Sequence, residues 1–195
     1  MTRTAKENRK TKETDISVDL NIDGSGEANV STGIGFFDHM LTALACHSGW
    51  DLSLDCKGDL KTDGHHTVED VGIVLGQAFA GCLGDKSGIA RYASFSVPMD
   101  EALATAHVDL SGRPYLVFEA NFRRNIIGDL EADLIREFFY AFAVNAKITL
   151  HVRILYGEND HHKAEAMFKA LAHSLRLAAM PGRAGGQILS TKGVL

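Results

Sequence analysis

Alternating and helical hydrophobic patterns divide the first half of the chain into strands and helices. Residues 15–23 alternate apolar and polar side chains, which is typical of a half-buried strand. The glycine-containing turn at 23–26 and the segment after it predict a hairpin. Residues 36–48 have helical spacing, residues 51–56 alternate again, and apolar positions at 68–84 mark a second helix. The predicted order is β-β-α-β-α.

The second half repeats this order. A strand lies within residues 95–111, and a second strand follows an SGRP turn at residues 114–122. Residues 133–146 are predicted as an amphipathic helix, residues 148–154 as a strand, and residues 164–175 as one face of a long helix. The repetition predicts an α+β fold built by internal duplication of about one hundred residues.

The predicted domain boundaries follow from the repeat. Residues 1–12 are rich in lysine and arginine and are interpreted as a mobile basic arm. Residues 13–92 form the first half, and residues 93–195 form the second half with a C-terminal tail that binds substrate. No linker rich in proline or serine separates the halves, so we expect one integrated catalytic domain with tightly packed halves.

Composition and charge narrow the class of protein. The 195 residues are 45% hydrophobic and 23% charged, with a net charge of −5. This profile is that of a globular domain and argues against a nucleic-acid partner. No apolar run reaches the roughly 18 residues of a membrane span, and the N-terminus lacks the apolar core of a signal peptide. Three cysteines without a CxxC pair suggest reduced thiols and a cytoplasmic location.

Two HHxxE motifs carry the candidate chemistry. One begins at His65 and the other at His161, 96 positions later, and each opens the last helix of its half. Because helical positions three and four apart share a face, each motif can aim one imidazole and one carboxylate at a common point. The second histidine of each pair can reach another point. Imidazole and carboxylate together are ligands for divalent Mn, Fe, Co or Zn.

The first helix of each half adds a further polar position. Aligning the two helices places His39 opposite Glu137. We therefore predict eight ligands, enough for two metal ions with open positions, supplied by His39, His65, His66, Glu69, Glu137, His161, His162 and Glu165. Cysteine is absent from the set, which argues against structural zinc.

Other polar residues suggest a phosphate site. Arg91 and Arg113 lie near the ends of elements, and the tail contains Ser190-Thr191-Lys192. Arginine forks, hydroxyls and a lysine suit a phosphate monoester. His47 lies two turns after His39 and is a candidate substrate contact. No Walker loop or dinucleotide fingerprint is present.

These residues alone are compatible with more than one function. A binuclear metallohydrolase acting on a small phosphorylated substrate would also use two metal ions and an activated water. A metal-storage protein of the ferritin type is disfavoured because such bundles are wholly helical.

The motifs resemble those of the imidazoleglycerol-phosphate dehydratase family of histidine biosynthesis. The similar segments are GIGFFDHMLTALACHSG, DGHHTVEDVGIVLGQA, PMDEALA, DLSGRPYLVFE, GENDHHKAEAMFKALA and STKGVL, within about residues 13–195. The resemblance implies two four-stranded sheets, each packed on two helices (a ribosomal S5 domain 2-like unit). It also implies two Mn²⁺ per active site, held between subunits of an octahedral homo-oligomer built from trimers.

The resemblance also assigns the ligands. One ion would take His39, His66, His161 and Glu165, and the other would take His65, Glu69, Glu137 and His162. Glu137 departs from the family pattern, because many members have histidine there.

The implied reaction converts D-erythro-imidazole-glycerol phosphate to imidazole-acetol phosphate and water. No carbonyl neighbours the C–H bond that breaks, so the imidazole ring must be the electron sink, through an imidazolate and a diazafulvene-like intermediate. Glu13 is the candidate acid/base. The implied catalytic residues are Glu13, His47, Glu69 and Glu165, and the implied substrate contacts are Glu13, His39, His47, His65, Glu69, Arg91, Arg113, Ser190, Thr191 and Lys192.

Overall fold

The computed structural model describes residues 2–182 and 186–193. The first half contains β1 (Thr4–Lys10), β2 (Thr14–Asn21), β3 (Ala28–Ser31), α1 (Gly35–Ser48), β4 (Asp51–Gly58) and α2 (His65–Leu83). The second half contains β5 (Tyr92–Met99), β6 (Ala102–Asp109), β7 (Tyr115–Glu119), β8 (Ile126–Ile127), β9 (Leu130–Glu131), α3 (Leu134–Asn145), β10 (Thr149–Tyr156) and α4 (Asp160–Ala179). The predicted duplicated α+β fold is confirmed, with one more strand in each of the two main sheets than the hydrophobic pattern indicated.

Each half builds the same four-stranded sheet. The strand orders are β1-β2-β4-β3 and β5-β6-β10-β7, and in each sheet only the last pair is parallel. The central strands alternate buried and exposed positions because one face packs on helices while the other faces outward. The small β8-β9 hairpin is an addition to the second half.

The prediction of a mobile basic arm is wrong for most of residues 1–12. Residues Thr4–Lys10 form β1, an edge strand paired with β2 along its whole length. Its outward lysines, Lys6 and Lys10, pair with Asp19 and Asp15 on the neighbouring strand. Charged residues are common on edge strands because they discourage pairing with another chain. The basic pattern therefore marks a sheet edge.

Two further sequence predictions also need correction. β2 does not form a hairpin with β3, because β4 lies between them and β3 is parallel to β4. The single strand predicted within residues 95–111 is two antiparallel strands, β5 and β6. The chain reverses at Asp100, which has a φ of 48°. A short aspartate side chain tolerates this left-handed conformation better than most.

The two halves pack helix against helix around one shared core. α1 contacts α4, and α2 contacts α3, while each sheet covers the outer side of its own helices. The α2–α3 crossing is close: a Cβ added at Gly76 would lie 2.7 Å from the carbonyl oxygen of Phe142. Glycine is thus required there for the backbones to approach. This packing places the helices that carry both HHxxE motifs beside α1 and α3.

Candidate metal and substrate site

The α1–α4 crossing brings three of the predicted ligands together. Nε2 of His39 and Nε2 of His161 lie 3.2 Å and 3.1 Å from Oε2 of Glu165. One donor atom from each residue falls within 4.8 Å of the others. Nitrogen and carboxylate donors converging in this way could bind a divalent metal ion.

Local structure explains why these side chains meet. His161 and Glu165 are four residues apart on α4 and therefore share a face. Asn159 caps this helix by accepting a hydrogen bond from the amide of His161. The ring of Phe36 lies 5.1 Å from that of His161 and 6.3 Å from that of His39. Phe36 therefore packs against one side of the two imidazole rings.

The carboxylate of this cluster is buried, while its imidazoles reach the surface. The Glu165 side chain is 9% exposed, against 48% for His39 and 45% for His161. Burial raises the pKa of Glu165, but the hydrogen bond and charge of Lys169 and the hydrogen bond from His39 outweigh it and leave this pKa below its usual value. The group is therefore ionised and able to bind a cation.

The corresponding cluster of the first half is less complete within one chain. On α2, Nε2 of His65 lies 3.8 Å from Oε2 of Glu69. Glu137 lies on α3, which packs on α2, but its carboxylate accepts a hydrogen bond from Arg136 at 3.0 Å. Among the described residues, the group around His39 is the one set of three donors close enough to share an ion.

The second histidine of each motif forms contacts outside these clusters. Nδ1 of His66 lies 3.2 Å from both carboxylate oxygens of Asp59, and Nδ1 of His162 lies 2.8 Å from Oε2 of Glu101. Hydrogen bonds to these carboxylates raise the pKa of both histidines. Glu101 has a pKa lowered to about 2 by hydrogen bonds from the Asn159 amide and from His162.

The candidate acid/base residue lies near one of these histidines. Glu13 is in the turn between β1 and β2, and its Oε1 is 3.9 Å from Nε2 of His66. Its side chain is 53% exposed, so solvent can reach it. The structure thus brings Glu13 beside a predicted ligand while leaving its carboxylate free of a tight ion pair.

The predicted phosphate contacts line one open cavity of about 820 Å³. They are Arg91, Arg113, Ser190, Thr191 and Lys192. The Arg91 side chain is nearly buried and donates two hydrogen bonds to Asp109 and one to the carbonyl oxygen of Leu189. Arg113 is more exposed and lies 3.7 Å from the same aspartate. The last two residues of the tail motif lie outside the described residues.

Two further histidines, His47 and His173, lie beside each other. His47 lies at the end of α1, with its ring 5.3 Å from that of His173. Burial, followed by the charge of Lys169, lowers the pKa of His47. The ring of His173 stacks on that of Phe95, with the ring centroids 4.4 Å apart.

Sequence reasoning missed several residues that support these sites. Lys169 donates to Glu165 at 2.6 Å, and its spacing of four residues after Glu165 was an available signal. Asp109 and Asp59 are contributed by other elements, so the motifs do not reveal them. Glu101 lies in the PMDEALA segment, but its contact with His162 depends on tertiary structure.

The fold and site define a duplicated α+β protein with a cluster of two histidines and a glutamate on facing helices. The family model described as imidazoleglycerol-phosphate dehydratase matches residues 32–175. The chain belongs to this family, whose members are hydro-lyases, and is itself a carbon–oxygen lyase.

Similar proteins cover nearly the whole chain. The imidazoleglycerol-phosphate dehydratase of Rhodopseudomonas palustris (strain BisB5) is 57% identical over 99% of this chain and 98% of its own length. That of Acetivibrio thermocellus is 55% identical over the full length of both. Among solved structures, the Staphylococcus aureus enzyme has a TM-score of 0.80 at 38% identity, covering 93% of this chain and 99% of the other. IGPD from Pyrococcus furiosus has a TM-score of 0.84 at 36% identity, covering 97% and 100%.

Among the described residues, no helix combines the length and apolar character needed to cross a membrane.

Proposed function

We propose that this protein dehydrates D-erythro-imidazole-glycerol phosphate to imidazole-acetol phosphate in histidine biosynthesis, with two Mn²⁺ per active site. Family membership supports the reaction. The observation that carries the metal assignment is the convergence of His39, His161 and Glu165 on one point. A cytoplasmic location accords with a biosynthetic enzyme whose three cysteines are unpaired.

The donor set fits manganese. Two imidazole nitrogens and a buried, ionised carboxylate suit a divalent ion of intermediate hardness, and no cysteine lies among them. The repeat provides a second set around His65 and Glu69, which Glu137 would complete if its side chain left Arg136. Each set would leave positions open for substrate and water.

The arrangement of the other histidines supports an assembly of several copies. His66 and His162 face carboxylates outside the three-donor cluster, so one chain does not bring them into it. A neighbouring copy could supply His66 to the ion at His39, and His162 to the ion at His65. We therefore propose that active sites lie between subunits of an octahedral homo-oligomer built from metal-bridged trimers.

The cavity at Arg91 would hold the phosphate of the substrate. Two guanidinium groups, two hydroxyls and Lys192 converge there, and a phosphate monoester accepts hydrogen bonds from all of these donors. Arg91, Arg113 and Lys192 carry three positive charges, and Asp109, which contacts both arginines, carries one negative charge. The net charge of two positive units matches a phosphate dianion. This site would orient the imidazole end of the substrate toward the metal ligands, with His47 as a further contact.

The chain's own residues would then move protons. When bound by the histidine and glutamate ligands, the two ions would supply Lewis acidity that favours the deprotonated form of the imidazole ring. The ring gives up its N–H proton, and its electrons expel the hydroxyl on the carbon bonded to it, which takes up a proton and leaves as water. Glu13 then accepts the proton of the C–H bond on the next carbon. The electron pair of that bond forms the double bond of an enol as the ring regains its electrons, and the proton on Glu13 can return to the ring. The enol that remains becomes the ketone. Glu69 and Glu165 contribute by holding the ions.

The proposal is tested by assaying purified protein with Mn²⁺ and imidazole-glycerol phosphate. We expect imidazole-acetol phosphate to form in a manganese-dependent manner with no release of inorganic phosphate. Phosphate release without ketone formation would instead support a binuclear metallohydrolase.

The assembly is tested separately. We expect exhaustive chelation to shift size-exclusion elution toward smaller species, because ligands from different copies share ions. An unchanged elution volume after complete metal removal would contradict the shared sites.

A further inference from the structure

The duplication places a glutamate at the same point in each half. Glu13 immediately precedes β2, and Glu101 immediately precedes β6, at an offset of 88 positions. Both lie in the tight turn between the first two strands of their sheets. The register agrees, because Ile16 pairs with Cys56 on β4 and its counterpart Ala104 pairs with Ile154 on β10. The two glutamates therefore occupy equivalent positions but need not have the same role.

The carboxylate of Glu101 is fully engaged. Its Oε1 accepts hydrogen bonds from the amides of Glu158 at 3.1 Å and Asn159 at 2.7 Å, at the start of α4. Its Oε2 lies 2.8 Å from Nδ1 of His162. An ionised carboxylate can only accept hydrogen bonds, so the proton in this contact belongs to the ring.

Glu13 has none of these contacts. Its nearest basic partner is Nε2 of His66 at 3.9 Å. The Nδ1 of His66 is held instead by Asp59, which follows β4 in the first half. A different carboxylate has thus taken over the orienting contact, and Glu13 is left free.

We propose that Glu101 is a positioning residue that holds His162 in the tautomer with the proton on Nδ1, so that Nε2 presents its lone pair to a metal ion, while the equivalent Glu13 is free to transfer protons. A histidine ligand whose other nitrogen donates to a carboxylate is fixed in ring orientation and tautomer. The inference rests on the proposed metal site and adds to it different roles for the two equivalent glutamates.

Glu101→Gln tests this with little change in shape. The glutamine oxygen must stay with the two backbone amides, because the opposite orientation would leave both donors facing an NH₂ group. The NH₂ group then faces Nδ1 of His162, which must become an acceptor. The proton moves to Nε2 and blocks metal binding there.

Manganese titration of the intact protein, monitored by the electron paramagnetic resonance of free Mn²⁺, measures the effect. We expect one of the two classes of site to weaken by about 10- to 100-fold, the range typical for loss of such a partner, while the other class is unchanged. Glu158→Gln is the matched control: it removes the same charge from a neighbouring residue whose side chain does not contact His162. It should leave both classes unchanged.

A double-mutant cycle separates positioning from a general structural effect. In a His162→Ala background, Glu101→Gln should cause no further loss of affinity. If Glu101→Gln weakens both classes equally, or still weakens binding without His162, the positioning role is wrong.

A measurement on the unmutated side chain covers the case in which Glu101→Gln does not fold. Solid-state ¹⁵N NMR of metal-free, histidine-labelled protein at alkaline pH should show His162 protonated at Nδ1, with the signal identified by its loss in His162→Ala. Protonation at Nε2 would overturn the inference. If the wild type bound no manganese at all, the proposed metal site would fail first, which distinguishes the two outcomes.

Discussion

The two halves of the molecule have the same fold, but residues at equivalent positions make different contacts. Arg3 and Arg91 both precede the first strand of their half, 88 positions apart. Arg3 pairs with Asp23 and donates to the carbonyl of Ala179, whereas Arg91 pairs with Asp109 and lines the cavity at the C-terminal tail. The comparison shows that duplication supplies positions, while the neighbours of each position decide its chemistry.

Substitutions of the predicted metal ligands should have the largest effects, and these should be equally severe in the two halves. We expect Glu165→Gln and Glu69→Gln each to lower kcat by at least about a thousandfold, because loss of an anionic ligand removes an ion and its charge stabilisation. Elemental analysis should show less bound metal in both variants. Full activity and metal content in either variant would mean that the two halves are not equivalent at the metal centre. His66→Ala should likewise lose metal.

The two equivalent glutamates should respond in opposite ways. Glu13→Gln should lower kcat by about 10²- to 10⁴-fold, the usual contribution of a general acid/base, while manganese affinity stays unchanged. Its pH–rate profile should lose one ionisation. Steady-state kinetics and metal titration on the same preparation provide the check, with Glu101→Gln as the comparison. Loss of metal from Glu13→Gln would assign it a ligand-supporting role instead.

The two equivalent arginines should differ at the phosphate site. Arg91→Lys removes the guanidinium fork that Asp109 holds, and we expect KM to rise by about 10- to 100-fold, as for loss of a hydrogen bond to a charged group. Arg3→Lys should leave KM unchanged, because Arg3 is not among the residues that line the tail cavity. Calorimetric titration with inorganic phosphate gives an independent readout. If both substitutions raised KM equally, the two arginines would not differ at the phosphate site.

The smallest effect concerns the N-terminal strand. A hydrogen bond from Arg3 lowers the pKa of Asp23 below its unfolded value, so the stabilisation is complete above about pH 4 and is lost as the pH falls through the lowered pKa. Asp23→Asn should reduce the free energy of unfolding by about 0.5–1 kcal/mol at neutral pH, since the pair is partly exposed. Urea unfolding should show this difference shrink in acid. A constant difference across pH would show that the charge is not involved.

The hydrophobic pattern predicted most elements but missed β1 and β5, the first strand of each four-stranded sheet. The helices were recognised because Phe36 to Ser48 and the positions after His65 have helical spacing. β1 was missed because an edge strand with half-exposed positions has no strongly apolar face. The pairing of β3 with β4 was also not visible, because strand partners depend on chain topology rather than on local pattern.

Part of the candidate site could also be predicted from the sequence. The HHxxE motifs and the alignment of His39 with Glu137 depend only on local spacing and on the repeat. The structure showed that His39 meets Glu165, whereas Glu137 contacts Arg136. Rotamers and ion pairs of this kind depend on neighbours that are distant in sequence.

The sequence by itself determined that the fold is duplicated and that histidines and carboxylates recur at matched helical positions, because a repeat and a helical period are both local properties. Tertiary structure alone decided which carboxylate holds which histidine. Glu101 reaches His162 across 61 positions, while its equivalent Glu13 remains without a comparable partner. The reason is physical: a hydrogen bond joins atoms within about 3 Å, and only the packed chain places those atoms together.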